Sequence, residues 1–206
     1  MKLKLNYECF DKGLEKLSQE YKIFAPVVLE YKGTYSDTPS IRYKEVKKFE
    51  YQNCDIHINE ILLYFTQDEY SEAKVKEEKV LIFMRACDIN AVKRVDEIYL
   101  RNGKEDYYYK RRRNKFKFVL VGCRESFRNC FCVSMNSNKT EDYAMALNIR
   151  DNELYIDIKD EDLNVFDGQS EEFEVDYVKE NYIKVEIPEN IDPIKVSKAP
   201  IWEEYN

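Results

Sequence analysis

Two short, continuous apolar runs are the clearest feature in the pattern of hydrophobic and polar positions along this chain. They lie around residues 79–85 and 116–122, and runs of this length are typical of strands buried on both faces. Between them, apolar residues at three- and four-residue intervals over 89–99 predict an amphipathic helix with Asp88 as its N-cap. A second short helix is predicted over 106–113. Strand, crossover and strand together predict a βαβ unit with parallel strands.

The segments before this unit have weaker patterns. Apolar residues at helical spacing over 10–21 predict a short amphipathic helix, whereas 23–31 is rich in β-formers and favours an edge strand. Residues 59–65 resemble the start of a helix, with Asn59 as a candidate N-cap.

The segments after the unit predict a different architecture. Two apolar stretches, 144–149 and 153–158, are separated by a short polar pair and predict a β-hairpin. The acidic stretch 168–180 is expected to begin a helix, and the alternation over 183–187 favours a strand with one solvated face.

The composition allows one folded domain of moderate size. The chain has 206 residues, of which 44% are hydrophobic, and this is enough to bury a core. We therefore predict a mixed α/β fold (α+β), with a central βαβ unit and a C-terminal part rich in β-hairpins. Residues 1–190 are predicted to form a single domain, and the proline-containing residues 191–206 an extended linker.

Charge and motif content exclude several functions. The net charge of −7 argues against nucleic-acid binding. No apolar run approaches the roughly 20 residues of a membrane span, and without a signal core we expect a cytoplasmic protein with reduced thiols. Five glycines and a single histidine, His57, leave little for a phosphate loop or a general base. No catalytic residue is predicted, and this chain is not expected to be catalytic alone.

Four of the six cysteines are predicted to converge. Cys87 and Cys123 each follow one of the two buried strands, and Cys130 and Cys132 lie a few residues further on. Because parallel strands end at the same edge of a sheet, these thiols should share that edge. Three interpretations remain open: buried core cysteines, an iron–sulfur cluster, or a zinc site. The other two cysteines, Cys9 and Cys54, are interpreted as structural.

A compact basic run follows the first crossover helix. A solvated helix face is its ordinary interpretation, and a dock for an acidic partner or anionic substrate is the functional alternative. The candidate docking residues are Lys110, Arg111, Arg112 and Arg113.

Four motifs of the chain occur together, in this order, in a known family. They are RACDINA at 85–91, DEIYL at 96–100, DYYYKRR at 106–112 and CFCVSM at 130–135. The pattern resembles the A subunit of anaerobic sulfite reductase and its relative, the iron–sulfur β subunit of soluble sulfhydrogenases. The resemblance covers roughly 10–205 and is strongest over 79–145. In place of a glycine-containing turn of the family, the chain has Met135-Asn136-Ser137, so Asn136 is expected to occupy the glycine conformation.

The resemblance implies an electron-transfer subunit. Its members carry electrons from a flavin-containing, NAD(P)H-oxidising subunit to a catalytic subunit, which contains sirohaem in the sulfite reductase. Their ferredoxin-like half has no counterpart in this sequence, so we interpret the chain as a truncated, N-terminal portion. A [4Fe–4S] cluster held by Cys87, Cys123, Cys130 and Cys132 is the leading hypothesis. The alternatives are a docking domain without a redox centre and a zinc-stabilised structural domain.

Overall fold

The strands described here form one mixed sheet and one small hairpin. The computed structural model describes residues 1–24, 79–150, 153–184, 190, 192–200 and 202, with the backbone of 63–65 and 70–72. Within these residues the large sheet has seven strands, in the order β2-β5-β6-β7-β8-β1-β9. The strands of both sheets are β1 Lys2–Leu5, β2 Tyr21–Phe24, β3 Leu63–Phe65, β4 Tyr70–Glu72, β5 Lys79–Met84, β6 Phe116–Val121, β7 Met145–Arg150, β8 Glu153–Ile158 and β9 Gln169–Ser170.

One half of the sheet is parallel and contains the predicted βαβ unit. Strands β2, β5, β6 and β7 are parallel neighbours, with Met84 opposite Leu120 and Val121 opposite Leu147. The crossover from β5 to β6 holds helix α2 (Ala86–Asp96), a π-helical turn (Glu97–Arg101) and helix α3 (Tyr107–Arg113). The prediction of parallel strands joined by two helices is therefore confirmed.

The other half is antiparallel. Strands β7 and β8 form the predicted hairpin, with Asn148 opposite Tyr155. Strand β1 then pairs antiparallel with both β8 and β9, so it lies inside the sheet and has a neighbour on each side. The mixed α/β class is confirmed.

Side chains bury both faces of strand β6, which explains its continuous apolar sequence. On one face, Val119 and Val121 belong to a core cluster that also contains Phe10 and Leu14 of helix α1 (Tyr7–Leu17). On the other face, Phe118 and Leu120 pack in a second cluster with Ala86 and Ile89 of α2. The two clusters place α1 and α2 on opposite sides of the sheet.

Several local predictions about helices require correction. Helix α1 begins earlier than the predicted 10–21 and is capped by Asn6, whose side chain accepts a hydrogen bond from the Cys9 N–H. The N-cap of α2 is Arg85, not Asp88. Asp88 lies one turn in, and its carboxylate accepts a hydrogen bond from the Arg85 backbone N–H at 3.3 Å.

Two predicted helices are wrong where the structure describes them. Leu63–Phe65, the end of the predicted 59–65 helix, is strand β3 and pairs with β4; Asn59 lies outside the described residues. The acidic stretch 168–180 contains β9 and then no regular secondary structure.

Three further predictions, the edge strand 23–31, the strand 183–187 and the linker 191–206, lie partly outside the described residues. The predicted edge strand begins as β2, and most of 23–31 is not described. The same holds for most of the predicted strand 183–187. Within the predicted extended linker, Pro193–Ser197 forms a short helix, α4, capped by Asp192. No helix in the described ranges is long and apolar enough to cross a membrane.

Candidate metal centre at the sheet edge

The four cysteines of the predicted set follow the carboxyl ends of two adjacent parallel strands. Cys87 lies in the first turn of α2, directly after β5, and Cys123 lies two residues beyond the end of β6. After β6, the Gly122 N–H still donates to the carbonyl of Leu147 in the neighbouring strand. The next donor, the Cys123 N–H, binds the carbonyl of Asp176 outside the sheet at 3.0 Å. Cys123 therefore marks the point where β6 leaves its neighbour β7.

The loop with Cys130 and Cys132 is built from tight turns. The N–H of Cys130 binds the carbonyl of Phe127 at 2.9 Å, and the N–H of Phe127 donates in return to the Cys130 Sγ at 3.2 Å. The carbonyl of Cys132 accepts from the backbone N–H of Ser137 at 2.8 Å. Asn136 has a φ of 51°, which confirms that it occupies the left-handed conformation expected of a turn glycine.

The pKa values of three of these thiols are shifted by burial and by other thiols of the set. Burial, with smaller contributions from Asp88 and Cys132, raises the pKa of Cys87 to about 12. Burial also raises the pKa of Cys123, with Cys130 and Cys132 contributing. The pKa of Cys132 itself is raised by burial and by Cys130. Cys132 thus has an electrostatic interaction with each of the other three thiols, and burial favours the protonated form of Cys87, Cys123 and Cys132 at neutral pH in the absence of a bound cation.

The guanidinium of Arg85 lies near three of these thiols. The guanidinium of Arg85 acts to lower the pKa of Cys87, Cys123 and Cys132, although burial outweighs it. Its Cζ lies 5.2 Å from the centroid of the Phe127 ring, a cation–π arrangement that holds the charge beside the loop. Because Arg85 is also the N-cap of α2, its backbone position is fixed by the helix that contains Cys87.

The four cysteines have the right chemistry for a thiolate-bound metal group, but their side chains are not arranged as a finished binding site. All five described cysteines are free thiols, and thiolate is the ligand that iron–sulfur clusters and zinc prefer. However, among the residues with described positions, no three potential ligand side chains are grouped closely enough to hold a metal ion. Binding would therefore require the thiol side chains to turn toward one another within the existing loop.

An irregular segment that sequence reasoning missed passes along the same edge. We call residues 174–181 the strap. It contacts the ends of β6 and β7 at Asp176 and the cysteine loop at Asn181, where Asn181 Oδ1 accepts from the Val133 N–H at 3.2 Å. The signal that could have revealed it is Asn148, a polar residue in the apolar strand MALNIR, because a buried amide needs hydrogen-bond partners.

The basic run forms most of α3 and is largely engaged within the protein. Lys110 forms an ion pair with Glu105 at 2.5 Å, and Arg113 forms one with Asp96 at 3.0 Å. The guanidinium of Arg111 lies over the rings of Tyr107 and Tyr108, while Arg112 is partly buried. None of these residues lies among the interacting thiols.

Comparison with known proteins adds one relative. The chain is similar to the sulfhydrogenase 2 subunit beta of Pyrococcus furiosus, with 26% identity over 155 residues. The alignment covers 69% of this chain and 42% of the relative, so the chain spans less than half the length of the relative it matches. No protein-family model matches the chain, and no solved structure matches it. The chain is thus a distant relative of that subunit.

Proposed function

We propose that this chain is a module of an electron-transfer subunit in an oxidoreductase complex. The observation that carries the proposal is the placement of four cysteines after the carboxyl ends of two adjacent parallel strands, with Arg85 at the start of the helix that contains Cys87. The similarity to a sulfhydrogenase beta subunit supports the same class of function. The proposed role is electron relay between partner subunits.

The proposed cofactor is a [4Fe–4S] cluster held by Cys87, Cys123, Cys130 and Cys132. When bound, such a cluster accepts and donates single electrons. Binding would remove the thiol protons, because a coordinating thiol is deprotonated outright. The Phe127 N–H that donates to Cys130 Sγ supplies the kind of hydrogen bond that shifts cluster potentials. Arg85 offsets part of the negative charge of the thiolates.

The finer assignment is to an anaerobic sulfite reductase. It rests on the four sequence motifs over 85–135, which resemble the A subunit of that enzyme. In this assignment the partners are a flavin-containing subunit and a sirohaem-containing subunit, and the compartment is a reducing cytoplasm. A sulfhydrogenase complex is the competing assignment, favoured by the relative from Pyrococcus furiosus.

The proposal is tested by measuring iron and acid-labile sulfide per chain after strictly anaerobic reconstitution. We expect about four of each in the parent protein, a brown colour, and a loss of both in Cys130→Ser. Cys9→Ser is the matched control, because Cys9 lies on α1 and packs against the core. It should bind as much iron as the parent.

The same measurement separates the alternatives. Zinc without labile sulfide would identify a structural metal site and remove the electron-transfer role. The absence of any metal in parent and variants would leave a docking domain whose electron transfer occurs elsewhere in the complex. Iron that is retained in Cys130→Ser would exclude this residue as a ligand.

A further inference from the structure

The strap contacts two parts of the loop between β6 and β7, one at Cys123 and one beside Cys132. Its residue Asp176 accepts a hydrogen bond from the Cys123 N–H, and its residue Asn181 accepts one from the N–H of Val133, next to Cys132. We propose that the strap positions these two parts of the loop relative to each other, with Asn148 and Asn181 as its anchors. The inference rests on the proposed function, since both parts contain proposed cluster ligands.

Asn148 anchors the first half of the strap. Its side chain is fully buried, at 0% exposure, and both ends of the amide are used. The Nδ2 donates to the carbonyl of Glu174 at 2.8 Å, and the Oδ1 accepts from the N–H of Asp176 at 3.0 Å. A buried amide that lost these partners would be costly, so the strap and Asn148 fix each other.

Two neighbours reinforce this anchor. Gly122, between β6 and Cys123, has no Cβ, and a Cβ there would overlap the Asn148 Oδ1. The guanidinium of Arg150 forms a two-pronged ion pair with Asp176, at 2.7 and 3.1 Å. The backbone of Asp176 is thereby held where its carbonyl receives the Cys123 N–H.

Asn181 anchors the second half in the same way. Its Oδ1 accepts from the Val133 N–H, and its Nδ2 donates to the Ser134 hydroxyl at 2.6 Å. Within the strap, the carbonyl of Val178 accepts from Asn138 at 2.7 Å. These bonds attach the strap to both sides of the turn that follows Cys132.

A further asparagine, Asn90, links the helix that contains Cys87 to this assembly. Asn90 of α2 donates to the carbonyls of Ser137 and Lys139, at 3.0 and 2.8 Å. The helix that begins beside Cys87 is therefore attached to the turn that the strap also holds. Because side chains rather than regular strand pairing supply these bonds, the relative position of the thiols depends on a few asparagines.

Asn181 offers the sharpest test because it is only partly buried, so its replacement should leave the core intact. Asn181→Ala removes both side-chain bonds, and Asn181→Asp keeps the acceptor for the Val133 N–H. The first readout is the alkylation rate of each thiol in metal-free protein, followed by mass spectrometry and expressed relative to Cys9. We expect the Cys132 to Cys9 ratio to rise several-fold in Asn181→Ala and to return toward the parent value in Asn181→Asp.

The ratio separates positioning from general destabilisation, because looser global packing would also expose Cys9 in the core. An unchanged ratio in Asn181→Ala would overturn the inference.

The second readout is the reduction potential and electron paramagnetic resonance spectrum of the reconstituted protein, which we expect to change in Asn181→Ala. If the parent takes up no iron, the proposed function fails, yet the alkylation ratio still decides whether the strap positions the two parts of the loop. If the parent takes up iron but Asn181→Ala matches it in ratio, potential and spectrum, only the inference fails.

Discussion

Arg113 and Asp96 form a largely buried ion pair that joins helix α3 to the end of helix α2. Their side chains are 18% and 13% exposed, and the Arg113 Nε lies 3.0 Å from the Asp96 Oδ1. The same carboxylate oxygen accepts from the Tyr109 hydroxyl at 2.6 Å. The Arg113 guanidinium also lies 4.6 Å from the centroid of the Phe118 ring. Arg113 therefore stabilises the crossover, so a test of partner docking through the basic run should leave Arg113 unchanged.

Asp96→Ala should destabilise the protein more than the loss of an exposed ion pair would. It leaves Arg113 and Tyr109 without their shared acceptor in a largely buried place, and we expect a loss of about 2–3 kcal/mol in the free energy of unfolding. Glu97→Ala is the matched control, since Glu97 pairs with Arg101 on the exposed surface and should cost less than about 0.5 kcal/mol. Urea unfolding of both variants gives the comparison, and equal losses would contradict the structural role of Asp96.

Gly122→Ala should disturb the junction of β6 and the strap. The added Cβ would overlap the Asn148 Oδ1 and lie 3.3 Å from the Cβ of Asp176, so we expect a loss of about 1–3 kcal/mol in stability. In an Asn148→Ala background the overlapping atom is gone, and the same change should cost less. A double-mutant cycle in urea measures this coupling. A cost that is the same in both backgrounds would show that the overlap does not matter.

Cys87 should react as an unusually weak acid in the metal-free protein. Its pKa is raised from 9.0 to about 12, mainly by burial, and alkylation requires the thiolate. We expect its alkylation rate to rise steeply between pH 10 and pH 11, where an ordinary thiol has nearly levelled off. Rates resolved for each cysteine by mass spectrometry check this. A plateau near pH 10 would mean that the thiol is more solvated than its burial indicates.

Tyr109 should make the fold sensitive to alkaline pH. Burial and the hydrogen bond to Asp96 raise its pKa above the ordinary 10.0. A group whose folded-state pKa is raised stabilises the fold below the unfolded-state pKa, and this contribution is lost as the pH rises. Stability should therefore fall from about pH 10 upward. In Tyr109→Phe the fall should be shallower, although stability at pH 7 is lower because the hydrogen bond is lost. Urea midpoints between pH 7 and pH 11 provide the measurement, with an unchanged slope as the contradicting result.

Local sequence was sufficient to predict the βαβ unit and the position of its cysteines. The runs at 79–84 and 116–121 are apolar at almost every position because α1 and α2 cover opposite faces of the sheet. Strands of this kind are recognisable without knowledge of their partners. Once the two strands are known to be parallel, Cys87 and Cys123 must follow the same edge. Their role as ligands stays a prediction.

Long-range contacts explain what could not be predicted. Strand β1 has only four residues and becomes a strand by pairing with β8 and β9, which lie far away in sequence. The stretch 168–180, which includes most of the strap, was expected to begin a helix because it is acidic, but hydrogen bonds from Asn148 and Arg150 to the carbonyl of Glu174 fix the backbone of the strap instead. Neither interaction leaves a periodic pattern within a short window of sequence.

The interior position of β1 has a consequence for the order of folding. Leu3 pairs with Ile156 on one side and Ser170 on the other, so β1 leaves the ribosome long before either of its partner strands. Pairing across such a sequence distance raises the contact order and slows folding. During synthesis the apolar side chains of this segment remain without their neighbours. Closure of the sheet around β1 is therefore expected to be a late step, completed only after the chain has passed residue 170.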